Sequence, residues 1–305
     1  MTSSGSGDSG EVKREAVSVS ADSDSAPEPA PTKTSRAGRD LPAAIAVGGG
    51  LGVGLIVVLV FVPLVFIPIA AVAVAVASWE VTKRLRESDI SVPRIPVILG
   101  GQAMIWLSWP FGALGGLSAF AATVLVTMVW RLLSGGLDVA PKNFLRDCAI
   151  SIFVLAWLPL FGAFATLLTL SDDGGFRVLV LMIAVVCSDV GGYAAGVLFG
   201  RHAMAPAISP KKSWEGLGGS LLFSVVGCVL TVSFLLDANP LVGALLGVLV
   251  VFSSTLGDLI ESQVKRELGI KDMGTMLPGH GGLMDRLDSV LPSILVAWLV
   301  LTAFV

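Results

Sequence analysis

Charge is scarce in this chain. Of 305 residues, 14% are charged and 54% hydrophobic, with a mean hydropathy of +0.85. A soluble domain carries about 25% charged residues. So few charges cannot clothe a water-facing surface, and the solvent that fits is a bilayer. The net charge of −3 leaves no bulk basic attraction, so no nucleic-acid partner is expected. Cysteine is nearly absent. Cys148, Cys187 and Cys228 sit singly inside apolar runs, without the pairing of a disulfide framework or a zinc site, and read as space-filling thiols. His202 and His280 are the only histidines, which excludes a histidine-rich metal centre.

Met1 to Asp40 also lacks large apolar residues. Rich in Ser, Ala, Pro and charge, it cannot bury enough surface to offset chain entropy and is expected to be a disordered tail. Its apolar neighbour starts too late and runs too long for a cleaved signal peptide.

What is present is apolar length. A membrane-crossing helix needs about 20 apolar residues. The sequence predicts an all-α, polytopic membrane protein of about nine spans: Leu41–Val60, Val62–Trp79, Pro93–Trp109, Phe111–Leu132, Asp147–Leu170, Arg177–Gly200, Gly216–Leu236, Leu241–Leu256 and Ser289–Val305. Pro63 and Pro68 mark a reversal between the first two, and Pro110 a joint between the third and fourth. If the tail is cytoplasmic and the spans alternate, every one of the 20 Lys and Arg except Arg177 falls on the inner side. Residues 41–176 then form an N-terminal set of spans, and residues 177–305 a region whose polar loops face the cytoplasm.

Polar residues gather in three places. Asp189 lies in the middle of the sixth span, on one strip with Gly192, Gly196 and Gly200. A carboxyl at that depth costs several kcal/mol, so it either faces a polar site or is a neutral aid to packing. Ser209-Pro210-Lys211-Lys212-Ser213-Trp214-Glu215-Gly216 precedes the seventh span. Ser213 can cap that helix beside two lysines, which suits a phosphate, but also suits the ordinary lysine and tryptophan belt of a membrane edge. The third place runs from Leu256 to Ser289. Asp258, Glu261, Ser262 and Lys265 share a face if helical, glycines surround His280, and Asp285 and Asp288 open the last span. Carboxylates beside bases at a membrane surface suit a magnesium site handling phosphates, or a plain charged loop.

The run Ser262-x-Val264-Lys265-Arg266-x4-Lys271-Asp272-x-Gly274-x2-Leu277-Pro278-x-His280-Gly281-Gly282-Leu283-x-Asp285-Arg286-Leu287-Asp288 resembles the signature of phosphatidate cytidylyltransferases, also called CDP-diacylglycerol synthases. The Ser209–Gly216 block resembles that family's second motif, with Ser213 where Thr is common, and Ser188-Asp189…Tyr193…Gly196 resembles a third. The resemblance implies transfer of the cytidylyl group of CTP to phosphatidic acid. It also implies magnesium (with room for a second cation such as potassium), a homodimer, and a multi-pass place in the plasma or inner membrane. It assigns the metal ions to Asp258 and Asp285. Candidate catalytic groups are then Asp189, Lys211, Lys212, Lys265, Arg266, His280, Arg286 and Asp288. Candidate substrate contacts are Ser209, Ser213, Glu215, Ser262, Lys271, Gly281 and Gly282.

Two other activities compete. A CTP-dependent lipid-alcohol kinase would move the γ-phosphate instead. A transporter would use Asp189 as an ion site, but transporters often show two similar halves, and here the polar residues crowd into the second.

Overall fold

The computed structural model describes residues 41–274 and 281–305. The tail before Leu41, and Leu277, Pro278 and His280 of the signature, lie outside the described residues. Residues 41–305 form one compact unit.

The chain is helical almost throughout. Its elements are α1 (Leu41–Phe61), α2 (Phe66–Glu87), α3 (Arg94–Leu133), α4 (Phe144–Leu155), α5 (Phe161–Thr169), α6 (Gly174–Phe199), α7 (Trp214–Leu235), α8 (Pro240–Glu267), α9 (Met284–Leu287) and α10 (Val290–Phe304). Among the described residues seven helices are long and apolar enough to cross a membrane. The expectation was about nine spans, and two elements account for the difference. One is α1, whose described apolar stretch is short. The other is α3, 40 residues long, which holds the expected third and fourth spans together. Its break lies at Gly112 (φ 59°, ψ −150°), a backbone conformation open only to glycine, and not at Pro110. The two halves fold back on each other there, because Gly100 faces Thr123 while Gly116 faces Ser108 and Met104.

Local chemistry sets the other boundaries. Pro63 begins a short 3-10 turn between α1 and α2, and Pro68 sits in the first turn of α2, where a missing N–H costs nothing. Pro159 sits in a π-helical segment, Ala156–Leu160, that joins α4 to α5 into the expected fifth span. Asn239 caps α8, its side chain accepting from the Leu241 N–H at 2.9 Å, with Pro240 at the first helical position. At the other end Gly269 (φ 65°) donates its N–H to Arg266 O, and Ile270 to Lys265 O, which closes the helix in a Schellman motif. The helix therefore runs eleven residues past the expected Leu256, and the polar face from Asp258 to Lys265 is helical.

One feature is not helical. Ala203–Ala205 (β1) and Ser209–Ser213 (β2) pair as an antiparallel ribbon between α6 and α7. Strands of three and five residues are too short to show alternation in sequence.

The closest packing is that of α6 on α7. A Cβ on Gly191 would strike the Gly219 carbonyl, and one on Gly192 would strike Ser220 Oγ. The glycine strip is thus spent within the chain, on α7. It lends no support to the homodimer that the family resemblance implies. Substitution should show this. Gly219→Ala sets a methyl against Ala195 and the Gly191 carbonyl and is expected to destabilise by about 1–2 kcal/mol. Gly218→Ala, which meets open space, is expected to leave stability unchanged or slightly raised. Thermal unfolding in detergent compares the two.

Buried ions tie the N-terminal helices together. Asp147, in the first turn of α4, is buried and bonds Arg131 of α3 at 2.9 Å and Arg146 at 2.9 Å. At the opposite end of the bundle Arg177, the one base outside the charge pattern, is also buried. It pairs with Asp173 at 2.6 Å and donates to Leu301 O at 2.9 Å, which fixes the start of α6 to the end of α10.

Candidate active site

Where α6 ends and α7 begins, a cavity of about 350 Å³ opens between helices. Helix α6 contributes Ser188, Asp189, Gly192, Tyr193 and Gly196; the ribbon adds Ser209, Lys211, Lys212 and Ser213. Helix α8 adds Ser254, Thr255 and Asp258, and Ser289 closes it from the start of α10. Asp189 stands ten residues from the end of α6, about 15 Å along the axis. The cavity therefore reaches from the membrane edge to carboxyl depth. Of its lining side chains, Tyr193 is amphipathic and exposed.

The motif blocks meet here. Lys212 Nζ lies 2.5 Å from Asp258 Oδ2, an ion pair across the cavity between the second motif and the signature helix. Asp258 Oδ1 accepts from Ser262 Oγ at 3.2 Å. Ser213 caps α7, its Oγ accepting from the Gly216 N–H at 3.1 Å, so the positive end of that helix faces the same space as both lysines.

Other candidates stand behind this cavity. Lys265 bridges two carboxylates, Glu261 and Asp285, the latter at 2.8 Å. Asp285 also accepts from the Met273 N–H at 3.1 Å and the Gly282 N–H at 2.7 Å, so it organises the signature loop. Asp288 accepts from the N–H of Ser289 at 2.7 Å. Arg266 donates to the Ile208 carbonyl, joining the end of α8 to the ribbon. Glu215 faces away from the cavity and accepts from the N–H groups of Arg201 and His202, both at 3.2 Å, and bonds His202 Nδ1 at 2.6 Å. It buckles the ribbon to α7. Lys271 and Arg286 are exposed, and Gly281 (φ 83°) sits beside the Asp285 carboxylate.

One buried acid near the signature loop was not among the candidates. Glu80, on α2, is 2% exposed, and its Oε2 accepts from the Met284 N–H at 3.0 Å. A Cβ on Gly274 or Gly282 would collide with the same carboxylate, so these glycines admit it. Arg84, one turn on, donates to Met273 O at 3.0 Å. The N-terminal helices thus brace the signature loop across some two hundred residues of sequence. The only local signal was one acid at the edge of an apolar span. Glu261, which shares the signature-side face of α8, is fully buried and ion-pairs with Lys265.

Could these residues hold magnesium? All the donors are carboxylate oxygens, the type it prefers, and one or two protein ligands beside substrate phosphates are usual. Among the described residues no three His, Cys, Asp or Glu gather as a cage. Asp258 fits a two-ligand site, being one-third exposed in the cavity wall. Asp285 fits on exchange of Lys265, and Glu261, already paired with that lysine, can keep it.

The profile of the cytidylyltransferase family matches residues 43–304. A phosphatidate cytidylyltransferase of Mycobacterium bovis is 53% identical over 235 residues, 74% of this chain and 76% of its own. One from Mycobacterium tuberculosis is 54% identical over 74% of this chain and 71% of its own. One from Staphylococcus haemolyticus is 33% identical over 66% and 76%.

Proposed function

This chain belongs to the cytidylyltransferase family, and we propose that it acts as a phosphatidate cytidylyltransferase, joining CTP and phosphatidic acid into CDP-diacylglycerol with release of pyrophosphate. It is a membrane-embedded nucleotidyltransferase. The observation that supports the substrate reading is the Lys212–Asp258 pair: a cation suited to a phosphate and a carboxylate suited to a metal ion, drawn from two separate motifs, share one cavity wall.

In this reading a phosphate oxygen of the lipid attacks the α-phosphorus of CTP. The bond from that phosphorus to the bridging oxygen breaks, and pyrophosphate leaves. No covalent enzyme intermediate is needed, so the protein contributes position and charge. Lys211 and Lys212 neutralise the triphosphate, and the capped N-terminus of α7 offers it free N–H groups. Asp258 and Asp285 would hold magnesium, which would supply charge stabilisation on the phosphate oxygens. Lys265 and Glu261 set the position of Asp285 from behind. Exposed Tyr193 in the cavity wall leaves a side from which a lipid phosphate can approach.

The cytoplasmic orientation belongs to the same proposal and is supported by the charge pattern. The homodimer rests on family resemblance alone.

Purified protein given phosphatidic acid, magnesium and CTP labelled at the α-phosphorus is expected to move label into lipid, and EDTA to abolish the transfer. Label arriving only from the γ-position would replace this reading with a lipid kinase.

A further inference from the structure

A second polar cavity, of about 410 Å³, lies among the N-terminal helices and shares no lining residue with the first. Arg86 from the end of α2, Arg94 from the start of α3, and Trp130, Arg131 and Ser134 from the end of α3 surround it. Three guanidiniums face one space, and their bonding differs. Arg131 is fully engaged, by Asp147, Ser134 Oγ and Lys142 O. Arg94 has the Thr82 hydroxyl at 3.3 Å and lies 5.8 Å from the Trp79 ring centre, with no carboxylate partner. The exposed Arg86 side chain has no hydrogen bond or ion pair among the described residues. Of the nearby acids, Glu87 pairs with Lys83 and Arg84 and acts on Arg94 only at a distance, and Asp147 pairs with Arg131 and Arg146. Two guanidiniums with no directly bonded carboxylate face one cavity, an arrangement that suits an anion.

The anion's other half can be read from the neighbouring surface. A third cavity, about 610 Å³ and mostly apolar, shares Trp130 and Ser134 with the basic one and continues along Leu125, Val126, Val129 and Leu133. These lie on one face of the second half of α3, with rise enough for about 13 Å of groove. All four are exposed. A cationic head space at the helix end therefore opens into an apolar groove running down the same helix. Arginine forks match phosphate oxygens, and basic recesses between membrane helices suit phospholipid headgroups.

We propose that these joined cavities bind one anionic glycerophospholipid, its phosphate between Arg86 and Arg94 and an acyl chain along the α3 groove, at a site distinct from the catalytic cavity. Trp130 stands at the junction of head and chain, where tryptophan commonly marks the headgroup level.

Trp130 also supplies the test. The full chain is placed in phosphatidylcholine nanodiscs containing a small fraction of phosphatidylglycerol with brominated acyl chains, which quench tryptophan on contact. Phosphatidylglycerol carries a phosphodiester and is no substrate for the proposed transfer, so failure here is distinct from failure of that reading. The Trp130 signal is the difference between wild type and Trp130→Phe. It is expected to be quenched more by brominated phosphatidylglycerol than by brominated phosphatidylcholine at equal fraction. Arg86→Ala with Arg94→Ala is expected to weaken the apparent affinity roughly thirtyfold, at about 1 kcal/mol per cation. Arg86→Lys with Arg94→Lys, which keeps both charges, is expected to retain most of it. Equal quenching by the two lipids in wild type would overturn the proposal, whether or not the variants fold. So would an excess that survives the double alanine variant. Loss of the excess to millimolar inorganic phosphate would show a soluble-phosphate site instead.

Discussion

Asp258→Asn is expected to lower cytidylyl transfer by roughly 10²–10³-fold, the scale of losing one essential electrostatic contact at a reacting phosphate, while the protein remains folded. The reasoning starts from exposure. The Asp258 side chain is one-third exposed in the cavity wall, so its pairing with Lys212 contributes little to stability. Asparagine keeps the volume and can still accept from Ser262 Oγ. What it loses is the charge that would hold a magnesium ion and that fixes Lys212 within the cavity. Asp285→Asn should behave differently. Asp285 accepts from two backbone N–H groups and from Lys265. An amide there leaves Lys265 with only Glu261 and turns an NH2 toward donors. Activity and thermal stability should fall together for Asp285→Asn, and activity alone for Asp258→Asn. Transfer from α-labelled CTP at saturating magnesium, beside unfolding midpoints, separates the two. Near-normal turnover in both variants would remove the carboxylates from the metal role.

The legible parts of this molecule are those written in local periodicity. Apolar length located the membrane helices, and the sidedness of Lys and Arg agrees with the clustering of Lys212, Arg266 and the signature loop at one end. The motif residues Asp189, Lys211, Lys212 and Asp258 line one cavity, the carboxylates carried there by long helices and the lysines by the ribbon. Three features were not legible, each for a physical reason. The fold-back of α3 depends on the positive φ of Gly112, in a sequence where Pro110 looked the better breaker. The glycine strip on α6 announced a close neighbour but not which one; α7 and a second copy would leave the same spacing. The polar continuation of α8 carried no apolar signal, yet backbone hydrogen bonding continues without one as far as the Gly269 stop. His280 lies outside the described residues.

The long-range brace was the least legible feature, and it supports the remaining large prediction. Glu80→Ala is expected to cost on the order of 3 kcal/mol of stability and to lower turnover about 10- to 100-fold, although Glu80 touches no part of the catalytic cavity. The buried Oε2 accepts from Met284 N–H at the start of α9, and the carboxylate fills the space that Gly274 and Gly282 leave open. Removing it strands that N–H away from water and empties a pocket between α2 and the signature loop. Asp285 follows Met284 directly and takes its own bond from Gly282, so a loosened loop displaces the carboxylate that Lys265 positions. As a positioning residue, Glu80 should reveal itself in the form of the loss. The magnesium concentration for half-maximal rate should rise, while Glu80→Gln, which keeps an oxygen for Met284, should recover much of the activity. A Glu80→Ala protein that is destabilised but turns over normally at low temperature, with unchanged magnesium dependence, would reduce the brace to packing alone.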